Sequence, residues 1–124
     1  MIGYVTIGTC DLQRAAAFYD ALLAELGGVR FMETNRFISW TTGPGTCGLA
    51  VTYPYDRGQA STGNGTMIAL QASCREKVDR VHSRAIELGA QDEGPVGERG
   101  YGFYVGYFRD LDGNKLNVYY FGTA

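Results

Sequence analysis

At 124 residues the chain has material for a single core, and its 45% hydrophobic content never gathers into a run approaching the ~20 residues that cross a bilayer. Its net charge of −2 comes from scattered Asp, Glu, Lys and Arg and supplies no basic stripe for a phosphate backbone, so neither a membrane nor a nucleic acid is an expected partner. With no basic start leading into a long apolar run, the expected location is the cytoplasm.

The first segment, 2–8, alternates through Tyr4-Val5-Thr6-Ile7 and predicts a strand. Asp11 follows as a candidate N-cap. From Leu12 to Leu26, apolar residues such as Ala15, Tyr19 and Leu22 recur at three- and four-residue spacing, giving a helix with one apolar stripe that ends at Gly27-Gly28. Strands are predicted over 29–33, 36–42 and 47–53. The stretch from Pro54 to Gly65, rich in Gly, Ser, Thr and Asn, reads as a polar connection. After a strand over 66–72, Ser73 and Glu76 have the spacing of a capping box and open a second helix. Its stripe of Val78, Val81, Ala85 and Leu88 stops at Gly89. Strands over 90–93, 102–109 and 115–121 complete the chain, the last two joined by a hairpin in which Asp112-Gly113-Asn114 supplies the positive-φ positions of a tight turn.

Strand, helix, then strands is therefore written twice. Gly27 and Gly89, which stop the two helices, lie 62 residues apart, half the length of the chain. The pattern predicts an α+β fold of paired βαβββ modules, 1–55 and 66–124, joined by 56–65 within a single domain spanning 1–124. Each module is too small to bury a core alone, so the two are expected to pair and to leave a concave surface where function lies.

Several chemistries find no support. Cys10, Cys47 and Cys74 are odd in number and widely spaced, which argues against a disulfide framework or a zinc knuckle. There is no nucleophile elbow, Walker loop or dinucleotide fingerprint, and Gly43-Pro44-Gly45 and Gly63-Asn64-Gly65 read as turns. Asp110 and Asp112 read as turn hydrogen-bonding residues, not paired catalytic carboxylates. His82, the single histidine, sits beside the stripe of the second helix and reads as a surface or half-buried residue.

Alternation on the strands selects a different set. On the last strand Leu116, Val118 and Tyr120 share the face suited to a helix, which leaves Asn117, Tyr119 and Phe121 on the other. The same parity on the first and fifth strands completes an expected ligand-binding set of Tyr4, Thr6, Met67, Gln71, Asn117 and Tyr119. Aromatic, apolar and lightly polar, it suits a small, flat organic molecule fixed by a few hydrogen bonds. Arg36, Phe37 and Trp40 cannot be given a face from sequence. Arg99 reads as a solvated charge or an anion clamp, and the aromatic run around Phe103 to Tyr107 as a cavity wall or a dimer contact.

Four stretches carry a family resemblance: Met1 to Ile7, Asp11-Leu12 with Ala17-Phe18-Tyr19, Gly63-Asn64-Gly65-Thr66, and Phe108 to Leu116. With these the whole chain resembles the vicinal oxygen chelate superfamily, whose branches include glyoxalases, bleomycin-resistance proteins and extradiol dioxygenases. The Phe-x-Asp-x-Asp-Gly-Asn hairpin is its most specific part. The resemblance implies βαβββ modules whose sheets enclose a cavity, and a homodimer. Metal-dependent members place histidines on the first and fifth strands and a glutamate on the last, where this chain has Tyr4, Met67 and Asn117; the fourth strand offers Ala50. Tyrosine ionises only near pH ~10, thioether sulfur prefers soft ions, and a neutral amide binds less strongly than a carboxylate. No metal and no cofactor is therefore expected. The resemblance implies a small-molecule-binding protein that sequesters its ligand, as the bleomycin-resistance branch does. The alternative is a glyoxalase-like lyase or isomerase, or a dioxygenase-like enzyme, acting in the same cavity.

Overall fold

Asp11 starts the first helix as its position predicts: its backbone is extended and its carboxylate accepts the Arg14 amide at 3.1 Å, satisfying one of the orphan donors of the first turn. A computed structural model describes residues 1–122 and divides the chain into two units, Met1–Thr62 and Gly63–Ala124. Each unit is a strand, a helix and three strands.

In the first unit, β1 (Tyr4–Gly8), α1 (Leu12–Ala24), β2 (Val29–Glu33), β3 (Phe37–Thr41) and β4 (Gly48–Thr52) form a sheet in the order β1-β4-β3-β2. β1 runs parallel to β4, with the helix in the connection that a parallel pair requires, and the other pairs are antiparallel. Leu12, Tyr19 and Leu22 of α1 are buried on the sheet face that carries Ile38, Trp40 and Val51. Complete burial of such side chains stabilises by ~1.5–3 kcal/mol each before entropy is charged. Trp40 thus belongs to the core. Its indole N–H donates to Asp20 Oδ1 at 2.8 Å, and the Arg30 guanidinium grips the same carboxylate with two bonds of 2.9 and 2.8 Å. These donors hold the Asp20 carboxyl below its ordinary value, the Arg30 hydrogen bond foremost, against the opposing effect of partial burial.

The second unit repeats the plan with β5 (Ile68–Gln71), α2 (Arg75–Glu87), β6 (Gln91–Glu98), β7 (Phe103–Arg109) and β8 (Lys115–Phe121), in the order β5-β8-β7-β6. Both helices end alike. Gly27 and Gly89 take φ of 81° and 104°, and the next amide in each case reaches back to Leu23 or Ala85, the Schellman arrangement. Their starts differ, contrary to the capping-box expectation. The N-cap of α2 is Cys74, without a side-chain cap bond, so Ser73 stands one residue too early to cap it.

Three further expectations change. β6 runs on to Glu98 through Gly94 and Pro95, because pairing with β7, with register shifts at Gly94, extends a strand that its own residues do not favour. In the hairpin only Gly113 takes positive φ (89°), while Asp110 orders the turn by accepting the Asp112 and Asn114 amides at 2.9 Å. His82 is buried at 8% exposure, not at the surface. Its Nε2 lies 3.1 Å from the Tyr107 carbonyl, and its ring fills the space over Gly106, where an added Cβ would stand 2.8 Å from the imidazole. The segment expected to be a free connection packs in the first unit as far as Thr62, with Ala60 against Gly8.

Candidate functional site

Two buried side-chain polar atoms of the second unit lack a hydrogen-bond partner among the described residues, Arg75 Nε on α2 and Asn117 Oδ1 on β8. Leu116 and Val118 are fully buried on the α2 side, so alternation turns Asn117 to the opposite face of the sheet, where it is 6% exposed. Its Nδ2 points at the sulfur of Met67, 3.7 Å away, and its Oδ1 has no hydrogen-bond partner among the described residues. Reversing the amide would only exchange an orphaned acceptor for an orphaned donor, since a thioether is a weak acceptor and no donor. An unsatisfied buried polar group costs ~1–3 kcal/mol, so this atom is a place where the fold sacrifices stability.

Tyr107 is the ladder partner of Asn117 on β7 and shares its face. Lys115 Nζ stands 5.4 Å and Arg99 Cζ 5.8 Å from the centre of its ring, both within cation–π range. Arg99 also donates to the Pro95 carbonyl. Gly97 lies beneath this guanidinium, and a Cβ there would stand 3.0 Å from Nη1, so the guanidinium would have to shift. Arg109, on the same face, is neutralised by Glu93 at 2.7 Å. Neither Lys115 nor Arg99 has a carboxylate partner among the described residues.

Of the six expected binding residues, four belong to the second unit. Met67 and Asn117 are in contact, with Met67 just before β5 rather than in it. Gln71 is exposed and registers with Tyr119, whose ring tilts against Phe103 at 5.6 Å. The other two lie in the first unit and do not act together. Tyr4, 62% exposed, stands edge-on to Phe37 at 6.1 Å and lines an apolar pocket of about 500 Å³ with Phe31, Met32 and the loop from Gly43 to Thr46. Thr6 instead lines a polar groove of about 500 Å³ with Arg36, Tyr53 and Gln59. In that groove Arg36 lies over the Tyr53 ring and donates to the Pro54 carbonyl.

Lys115, Tyr107 and Arg99 were absent from the expected set. A signal for Lys115 existed, since it precedes Asn117 by two residues and so shares its face. From sequence Arg99 reads as a solvated charge or an anion clamp and Tyr107 as part of a cavity wall or dimer contact, but neither could be tied to Lys115, because their meeting at the Tyr107 ring depends on strand register and the β6–β7 turn.

The positions that the resemblance assigns to metal ligands do not suit a hard divalent ion. Tyr4 is engaged with Phe37, Met67 offers thioether sulfur to an amide, Asn117 offers a neutral oxygen, and Ala50 offers nothing. No cluster of three His, Cys, Asp or Glu side chains occurs among the described residues. His82 is engaged behind β7 on the α2 side.

Comparison with known proteins agrees with this architecture. The profile of the Glyoxalase/Bleomycin resistance protein/Dioxygenase superfamily matches residues 1–118. A glyoxalase/bleomycin resistance protein from Albidiferax ferrireducens T118 is 31% identical, with TM-score 0.87, covering 97% of this chain and 98% of its own. A family enzyme from Burkholderia phytofirmans PsJN, 20% identical, has TM-score 0.79 over 97% of this chain and 98% of its own. Lactoylglutathione lyase from Agrobacterium tumefaciens, 19% identical, has TM-score 0.71 over 97% and 92%. The last two are likenesses of fold alone. No curated protein matches the chain.

Proposed function

Because the chain belongs to the Glyoxalase/Bleomycin resistance protein/Dioxygenase superfamily, we propose that it binds a small organic molecule on the face of its second sheet opposite α2. It holds that molecule by hydrogen bonds and aromatic contact, without chelation to a hard metal ion. The observation that carries this reading is the orphaned Oδ1 of Asn117, set beside Met67 at the position where metal-dependent relatives keep a carboxylate. A donor on the ligand would satisfy the oxygen and recover the ~1–3 kcal/mol that the free protein forgoes. Met67, 40% exposed and unbranched, is a cover that can swing aside at little cost. Tyr119 and Phe103, their rings tilted by 48° to one another, supply aromatic surface on the same face.

The protein sequesters its ligand in this reading. The second reading, a lyase or isomerase, is favoured by Lys115 and Arg99, whose charges could stabilise an oxyanion that develops during reaction. We place the protein in the cytoplasm as a homodimer. The absence of a disulfide among the described residues fits a reducing compartment, and Val29 and Phe31, 66% and 71% exposed, fit a surface covered by a second copy.

A thermal-shift screen over small aromatic metabolites and thiol adducts tests the binding reading, since a ligand at 100 times its Kd stabilises by ~2.7 kcal/mol. The cognate class should raise the melting temperature of the parent and leave Asn117→Leu unmoved. A ligand that stabilises both equally removes Asn117 from the site. Elemental analysis separates the metal question: close to one transition metal per chain, lost on Asn117→Ala, would return the protein to the chelating branch.

A further inference from the structure

We propose that the ligand is a small organic anion carrying a hydroxyl or N–H donor, its negative group held by Lys115 and Arg99 and its donor placed on Asn117 Oδ1. The inference rests on the binding reading above and adds the ligand's charge and the spacing of its two polar groups.

The first premise is the imbalance of charge around one ring. Two cations approach Tyr107 and neither meets a carboxylate among the described residues, whereas neighbouring Arg109 on the same face is paired with Glu93. Like charges gathered on a half-buried aromatic surface raise the local positive potential, which attracts an anion and repels a cationic ligand. The Tyr107 ring attracts both cations without using up their N–H groups, so these stay available to an anion. Gly94 and Gly97 keep the space around the ring and the Arg99 guanidinium clear. A Cβ at Gly94 would lie 3.3 Å from Tyr107 Cδ2.

The second premise is the orphaned acceptor. With Nδ2 directed at the Met67 sulfur, the position of the amide left open is its oxygen, which a ligand satisfies with a donor. The third is spacing. Lys115 and Asn117 are alternate residues of one strand, ~7 Å apart along it, and Tyr107 lies directly across the ladder from Asn117. That separation matches one aromatic ring with an acid at one end and a hydroxyl at the other. Phe103 and Tyr119, 5.6 Å apart and tilted by 48°, add aromatic edges and faces that such a ring can touch.

The test uses 3-hydroxybenzoate, 4-hydroxybenzoate and 4-hydroxyphenylacetate, each beside its primary amide, by calorimetric titration and thermal shift against the intact chain. At least one acid is expected to bind ten times or more tightly than its own amide. Its affinity should fall at least tenfold in Lys115→Met, persist in Lys115→Arg, and weaken as sodium chloride is raised. Amides that bind as well as the acids, or Lys115→Met and Arg99→Met proteins that both bind the acids like the parent, overturn the inference. If that binding is lost in Asn117→Leu, the binding reading survives. Acids that bind the parent and Asn117→Leu alike overturn the placement of the site itself. No shift with any of the three acids at millimolar concentration also overturns the anion inference.

Discussion

Replacing Asn117 by leucine should make the free protein more stable while disabling its site. The two side chains have the same number of heavy atoms and the same branching, so leucine leaves no void, although its methyl groups are bulkier than the amide. The substitution removes the buried Oδ1 that lacks a partner and gives up only a 3.7 Å contact of Nδ2 with the Met67 sulfur. Relief of the unsatisfied acceptor contributes ~1–3 kcal/mol, and loss of the weak N–H···S contact subtracts from it. A net gain of ~1–2 kcal/mol corresponds to a rise in melting temperature of roughly 3–10 °C for a chain of this size. Calorimetric melting of parent, Asn117→Leu and Asn117→Ala decides the point, because alanine also removes the amide but leaves a void and should gain little or nothing. A lower melting temperature for Asn117→Leu would falsify the reasoning, since it would mean that the native protein satisfies the amide and that Asn117 belongs to the core. A gain in stability with loss of binding is the usual mark of a residue kept for function.

Gly106→Ala should cost ~1–3 kcal/mol in urea unfolding, because its Cβ would stand 2.8 Å from both His82 Cδ2 and Val96 Cγ2; His82→Ala in the same chain should restore part of the loss, and an unchanged midpoint contradicts the packing described. Asp20 titrates below its ordinary value near 3.8 because the folded state favours its charged form, so the stability it adds is complete above that value and disappears as pH falls through the lowered one. Emission from Trp40, the sole tryptophan, should report this acid transition, and Asp20→Asn should abolish its pH dependence. Tyr104, whose hydroxyl donates to Asp79 at 2.6 Å, titrates above its ordinary value, chiefly through that bond. Its contribution is complete below pH ~10 and lost as pH rises through the raised value, so Tyr104→Phe should flatten the alkaline arm of the stability profile. Sedimentation at micromolar concentration should give twice the 13.5 kDa chain mass, and a purely monomeric boundary removes the homodimer.

What could be read from the sequence was local in origin. Helix stops at Gly27 and Gly89 need only a residue that accepts positive φ, and the face of Asn117 needs only the two-residue period of a strand between apolar neighbours. Both survive in the structure because no distant residue has to cooperate. The duplicated order of elements was legible for the same reason, since each stripe and stop is complete within its own segment. Where segments meet, the sequence was silent or misleading. Trp40 turned to the core because β3 presents it to α1, where it packs on Tyr19 and donates to Asp20, and His82 became buried because Gly106 on another strand leaves it room. Tyr4 and Thr6 share a face by parity, yet different loops wrap them into separate pockets. Lys115, Tyr107 and Arg99 come together through strand register and a turn, which set distances that composition and periodicity do not encode. Backbone preference acts over a few residues, whereas side-chain contact across a sheet is decided by which strands pair and in what register; the elements were therefore readable in advance, and the meeting of Lys115 and Arg99 at one ring was not.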